Sequence, residues 1–151
     1  MKKFRYSMQS LLVIKQKLED QAKAAYGAAK LRLTEEEERL AALQRQRESY
    51  VEEKRRVMAT RLDVPKLNRL QLAVEAMDDR IVRQRQNVKK AETALRAAEE
   101  RLVESMTERK TQERLRENAF EEYRQEMNAE EQKEIDERTS FRYGVSEAEE
   151  A

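Results

Sequence analysis

The chain has no cysteine, no histidine and no tryptophan, and only one proline and two glycines among 151 residues. Without cysteine there are no disulfides, thiolate metal ligands or thiol nucleophiles. Without histidine the commonest general base and zinc ligand is missing as well. Two isolated glycines cannot form a phosphate-wrapping loop, and no HExxH or EF-hand pattern occurs, so the sequence points to a non-enzymatic protein with no cofactor and no metal. The opening MKKFRYSMQSLLVIKQKLED contains no uninterrupted apolar run long enough for a signal h-region or a membrane span, which leads us to expect a cytoplasmic protein.

What the chain does have is charge: 42% Asp, Glu, Lys and Arg, with 32 basic residues balanced by 31 acidic ones. Composition of this kind suits either disorder or a thin helical structure that buries one narrow stripe per helix. Periodicity decides for the helix. From Leu67 the series Leu70, Val74, Met77, Ile81, Gln84, Val88, Ala91, Leu95, Ala98 and Leu102 steps alternately by three and four, broken in character only by Gln84. That 3.5-residue repeat is the signature of a left-handed coiled coil. Beyond Leu102 the stripe resumes at Met106 and continues weakly through Phe120, Tyr123 and Met127, which reads as a stutter.

The first half carries a less regular stripe: Leu11, Ile14, Leu18, Ala22, Ala25, Ala29, Leu33, Leu40, Leu43, Tyr50 and Val57. Thr34 ahead of Glu35 to Glu38 has the look of a helix start, but no glycine or proline interrupts the segment and a continuous helix is expected. Asp63-Val64-Pro65 is the one strong breaker, since proline suits the first turn of a helix and expels its predecessor from helical geometry. Two helices joined by so short a turn pack antiparallel. The expected fold is therefore all-α, a single long two-helix antiparallel coiled-coil hairpin over 1–151. Its first helix runs from about 4 to 61, its turn from about 62 to 65 and its second helix from about 65 to 139. A flexible acidic tail takes up 140–151. The second helix would be on the order of 110 Å long. Phe4 would meet the neighbourhood of Tyr123 and Arg124.

Charge divides by position. Residues 1–33 hold eight basic and two acidic side chains, whereas 127–151 hold three basic and eight acidic ones, a pattern able to steer a partner. Arg80, Arg83, Arg85, Lys89 and Lys90 form a basic run, but a net charge of +1 and the lack of interleaved aromatics argue against nucleic acid. The acidic clusters Glu35 to Glu38 and Glu130, Glu131 and Glu134 read as solvated helix faces.

The opening Phe4-Arg5-Tyr6-Ser7-Met8-Gln9-Ser10-Leu11-Leu12, with the Lys-Gln-Lys-Leu-Glu-Asp helix after it, resembles the start of the FliJ family of flagellar export proteins. Glu131-Gln132-Lys133-Glu134-Ile135-Asp136-Glu137 is similar to that family's C-terminal Gln-Lys-x-hydrophobic-Asp-Glu signature. The resemblance implies a hairpin similar to the central stalk subunit of rotary ATPases. It would bind the hexameric type III export ATPase, promote ring assembly and activity, contact the export-gate membrane protein FlhA, and escort export chaperones. It further implies a monomer in isolation, held peripherally at the cytoplasmic face of the inner membrane at the flagellar base through its partners, in the service of motility. Carried over by position, export-gate contact would fall to Leu43, Gln46, Tyr50, Met77 and Gln84. Gln46 stands where some members have an aromatic, and Gln84 replaces a histidine. ATPase contact would fall to Phe4, Met8, Leu11, Leu12, Gln132, Lys133, Ile135, Asp136 and Glu137. Three other readings stay open: the equivalent stalk of a virulence injection system, a full-length homodimeric coiled coil in which Pro65 merely kinks each helix, and a membrane-surface role for the basic N-terminal arm.

Overall fold

The computed structural model describes residues 2–150 and contains two helices, α1 (Gln9–Thr60) and α2 (Val64–Glu150), with no strand among the described residues. The chain turns back on itself at residues 61–63, so α1 and α2 of one molecule pair antiparallel. Asp63 makes the turn. Its side-chain oxygen accepts from the Lys66 amide (3.2 Å) and its carbonyl accepts from the Leu67 amide (3.0 Å), the arrangement of an N-cap. Pro65 then sits in the first turn of α2, where no amide hydrogen is needed. α1 runs without a break past Thr34, whose hydroxyl donates back to the Lys30 carbonyl (3.1 Å) as in a helix interior.

Two compact units share these helices: residues 19–104, and residues 1–18 with 105–151. In the first, α2 buries the expected stripe, with Leu70, Val74, Met77, Ile81, Gln84, Ala91 and Ala98 all covered. α1 answers with a pattern that its hydrophobicity conceals. Its covered or half-covered positions run Glu19, Ala22, Tyr26, Ala29, Leu33, Glu36, Leu40, Leu43, Arg47, Tyr50, Lys54 and Val57, an unbroken three–four alternation. The stripe looks irregular because charged residues occupy several seam positions and find partners across it. Arg47 Nε lies 2.5 Å from Asp78 Oδ1, and Lys54 Nζ lies 2.6 Å from Gln71 Oε1.

The deepest of these polar residues is Glu36, 2% exposed. Gln84 Nε2 donates to both the Glu36 carboxylate (Oε2, 2.5 Å) and the Glu36 carbonyl (2.9 Å), while Gln84 Oε1 accepts from Asn87 (3.2 Å). Arg32 and Arg39 reach the other carboxylate oxygen at 3.0 and 3.2 Å. The hydrogen bond from Gln84 holds the Glu36 carboxyl below its ordinary value near 4.5. Burial opposes that shift but is outweighed, because a seam one layer thick keeps water close, and the two arginines add to the lowering.

In the second unit, Leu12 is the buried anchor of α1, and Lys15 Nζ pairs with Glu108 Oε2 at 2.9 Å. Ser105, Arg109, Gln112, Ala119 and Tyr123 are half-buried in steps of four, three, seven and four, the skipped position being the exposed Arg116. The apparent stutter at Met106 is thus a change from apolar to polar seam residues. Ile14 and Leu18, expected in the seam, are instead 52% and 41% exposed, since Leu12 and Lys15 take the inward positions.

Both helix ends depart from expectation. α1 begins at Gln9 because residues 2–6 are not helical: Phe4 and Tyr6 both reach α2, and residues two apart share a face only in extended chain. Phe4 lies 5.2 Å from Phe120 edge-to-face and 5.5 Å from Tyr123. Tyr6 donates to Gln112 Oε1 (3.3 Å), and the Tyr123 hydroxyl donates to the Lys2 carbonyl. α2 continues to Glu150 instead of ending near Thr139, with every residue from 128 to 150 exposed. Its backbone hydrogen bonds need no burial, and seven glutamates in the stretch favour them.

Two outcomes follow for stability. Asp63→Ala should lower the unfolding free energy by about 1 kcal/mol through loss of the cap, and Ile81→Ala by about 2 kcal/mol through seam cavitation, both read from urea unfolding. Because folding depresses the Glu36 carboxyl, its contribution is complete above the unfolded value near 4.5 and is lost as pH falls through the lower folded value. Melting temperature measured against pH should therefore drop less steeply below pH 4.5 for Glu36→Gln than for the parent chain.

Candidate functional site

The expected ATPase-contact residues divide by environment. Leu12 is 4% exposed and Phe4 is half-buried against Phe120 and Tyr123, with the Arg116 guanidinium 5.8 Å above its ring, so both are internal supports. Met8 is exposed and Leu11 half-buried. Gln132, Lys133, Ile135, Asp136 and Glu137 all lie on α2 beyond the point where α1 begins, fully accessible, with Gln132 Nε2 donating to Asp136 Oδ1 at 3.1 Å. Ile135, Phe141 and Tyr143 on this segment are 54%, 74% and 70% exposed, a density of apolar surface that an isolated helix has no internal reason to carry.

The expected gate-contact residues also separate. Met77 and Gln84 are buried in the seam, Gln84 committed to Glu36. Leu43 and Tyr50 are half-buried seam residues of α1. Gln46 is exposed and donates from Nε2 to the Tyr50 hydroxyl at 3.2 Å, which fixes the edge of the phenol ring that remains open to solvent. The surface available to a partner here is Gln46 with the outer edge of Tyr50. Seam burial of Met77 and Gln84 was legible in their spacing.

Among the described residues no group of acidic side chains converges on a metal position, and no helix is long and apolar enough to cross a membrane. The cleft at the N-terminal arm, 390 Å³, is bordered by Phe4, Tyr6 and Tyr123 together with Lys2 and Lys3 on one side and Glu122, Glu126 and Glu130 on the other. The arrangement offers faces for macromolecular contact.

Sequence reasoning missed the exposure of Ile14, Leu18 and Leu115, at 52%, 41% and 41%. The signal for the first two is Lys15, which pairs with Glu108 across the hairpin and so takes an inward position beside them.

Among curated proteins no sequence matches. The fold is shared with a protein described as a YscO homolog, CT670, from Chlamydia trachomatis: the two structures superpose with a TM-score of 0.75 at 19% identity, over 96% of this chain and 98% of that one. The sequence pattern of the flagellar FliJ protein spans residues 4–148, a stretch that contains α1, all but the last two residues of α2 and both signature ends, and the chain accordingly belongs to the FliJ family, non-catalytic components of flagellar protein export.

Proposed function

We propose that this protein acts as the stalk of the type III export ATPase: a helical hairpin that binds the hexamer, promotes its assembly and raises its rate of ATP hydrolysis. The observation that carries the reading is the free end of α2. Residues 128–150 continue the helix with no α1 residue opposite, fully exposed, acidic, and bearing Ile135, Phe141 and Tyr143. A helix of that composition is stable enough to be presented yet has apolar side chains left to bury.

A ring with rotational symmetry meets a hairpin that has none, so its subunits receive different contacts. Differential contact is what shifts the balance between subunit states and so alters assembly and turnover. Basic side chains at the N-terminal end and acidic ones at the C-terminal end, eight against two and three against eight, would orient the hairpin on approach.

Contact with the export gate FlhA is assigned to Gln46 and Tyr50, with Leu43 and Met77 supporting them from the seam. Gln84 acts here on register alone. Escort of export chaperones, a monomeric state before assembly, and a peripheral position at the cytoplasmic face of the membrane, reached through these partners, complete the reading.

Removal of residues 131–151 should abolish co-elution with the cognate export ATPase on a sizing column and leave the circular dichroism per residue almost unchanged. Retained co-elution by the truncated chain would overturn the assignment of this segment. For the gate, Gln46→Ala should weaken binding to the cytoplasmic domain of FlhA about tenfold in calorimetry, with melting temperature nearly constant because Gln46 is exposed.

A further inference from the structure

The turn between α1 and α2, within the unit that holds residues 19–104, carries apolar side chains that the seam leaves uncovered. A turn joining two charged helices is ordinarily polar. Here Met58, Leu62 and Val64 are 61%, 72% and 54% exposed. Val57 is the last buried residue of α1 and Leu70 the first of α2, so the three lie past the covered part of the seam.

Cations surround them. Residues 54–69 hold six basic side chains and one acidic, Asp63, whose carboxylate accepts from the Lys66 amide as the cap of α2. Part of the positive charge is already answered: Lys54 donates to Gln71, Arg55 lies 3.7 Å from Glu52, and Lys66 lies 3.8 Å from Glu53. Arg56, Arg61 and Arg69 are exposed and meet no acidic side chain among the described residues. Arg61, Leu62, Val64 and Lys66 border one cleft of 520 Å³ with Asp63 and Pro65, so cationic and aliphatic groups stand side by side. Single exposed aliphatic residues are ordinary on a protein surface; three at one apex, flanked by unpaired arginines, are not.

The shape and composition of the apex choose among anionic partners. Residues 61–63 form a convex end, and no aromatic side chain occurs between Tyr50 and Phe120. A stable protein interface takes about 800 Å² from each side and is anchored by aromatic residues in pockets, and a three-residue turn supplies neither. Nucleic acid would use the arginines and leave the aliphatic side chains without a role. A lipid surface uses both: aliphatic groups enter the headgroup layer, while arginines stay at the level of the phosphates with their stems in apolar contact.

We infer that the turn of the hairpin is a contact for anionic lipid, in which Met58, Leu62 and Val64 enter the headgroup layer and Arg56, Arg61 and Arg69 bind lipid phosphates. This goes beyond a membrane position reached through protein partners, because the hairpin then has an attachment of its own. The contact does not depend on the stalk assignment. Three aliphatic insertions with three arginines give a weak attachment that salt reverses.

The test is flotation of the full chain with vesicles of phosphatidylcholine alone or mixed with phosphatidylglycerol. The chain should float with the anionic vesicles, stay behind with the neutral ones, and be released as salt rises. Arg56→Gln with Arg61→Gln should weaken binding about thirtyfold, and Met58→Gln with Leu62→Gln should weaken it to a similar degree. Melting temperature should stay at the parent value in both, since all four residues are exposed. Arg85→Gln with Lys90→Gln removes the same charge from the exposed basic run of α2 and should leave binding near the parent value. Because the chain has no cysteine, Leu62→Cys can carry a single environment-sensitive fluorophore, whose emission should shift to the blue on anionic vesicles while that of a label at Gln86→Cys should not. If the Arg85 and Lys90 variant loses as much binding as the Arg56 and Arg61 variant, or if the label at residue 86 shifts, the attraction is to another segment and the inference is wrong. If the parent does not float with anionic vesicles, the turn is no lipid contact, and the stalk reading is unaffected. Loss of binding to the cytoplasmic domain of FlhA in the Arg56 and Arg61 variant would then make the occupant a protein face.

Discussion

The Glu36–Gln84 contact is the constraint on which the rest of the hairpin depends. Only eight apolar residues are buried among the described residues, so there is no globular core to fix how α1 and α2 align. Apolar seam residues attract one another almost equally well when slipped by a heptad. A buried carboxylate and the same residue's carbonyl, both bound by one amide across the seam, keep that pairing in a single register and lose it in every other. Arg32, Arg39 and Asn87 complete the set, and no buried side-chain polar atom is left unpartnered among the described residues. Such a network adds little net stability over well-packed leucines; what it contributes is uniqueness of alignment.

Register in turn places everything a partner would meet. It opposes Arg47 to Asp78 and Lys54 to Gln71 near the turn, and Lys15 to Glu108 near the termini. It brings Phe120 and Tyr123 under the extended N-terminal arm, where Phe4 closes the end of the hairpin. It also leaves the last stretch of α2 without a counterpart.

Legibility of the fold in the sequence followed how each helix fills its seam. α2 could be read because its seam residues are nearly all apolar, and even Gln84 held the phase. α1 was harder, because Glu19, Glu36, Arg47 and Lys54 occupy seam positions while Ile14 and Leu18 do not, and a hydrophobic pattern then follows the wrong stripe. Polar seam residues are visible only when their partners on the other helix are known. The start of α1 was misplaced since Phe4 and Tyr6 trade helical geometry for contacts with α2. The end of α2 was misplaced since loss of the apolar stripe removes the reason for pairing but not for helix. Exposure of residues 131–137 follows from their lying past the part of α2 that Phe4 meets, whereas the burial of Phe4 and Leu12 is decided only by the pairing.

The central claim is that this hairpin activates a ring ATPase by contact alone, with no chemistry of its own. Its most direct test is the ATP hydrolysis rate of the cognate export ATPase with and without stoichiometric protein, followed together with hexamer formation on a sizing column. The account predicts that both rise. An unchanged rate, with the two proteins eluting separately, would contradict it.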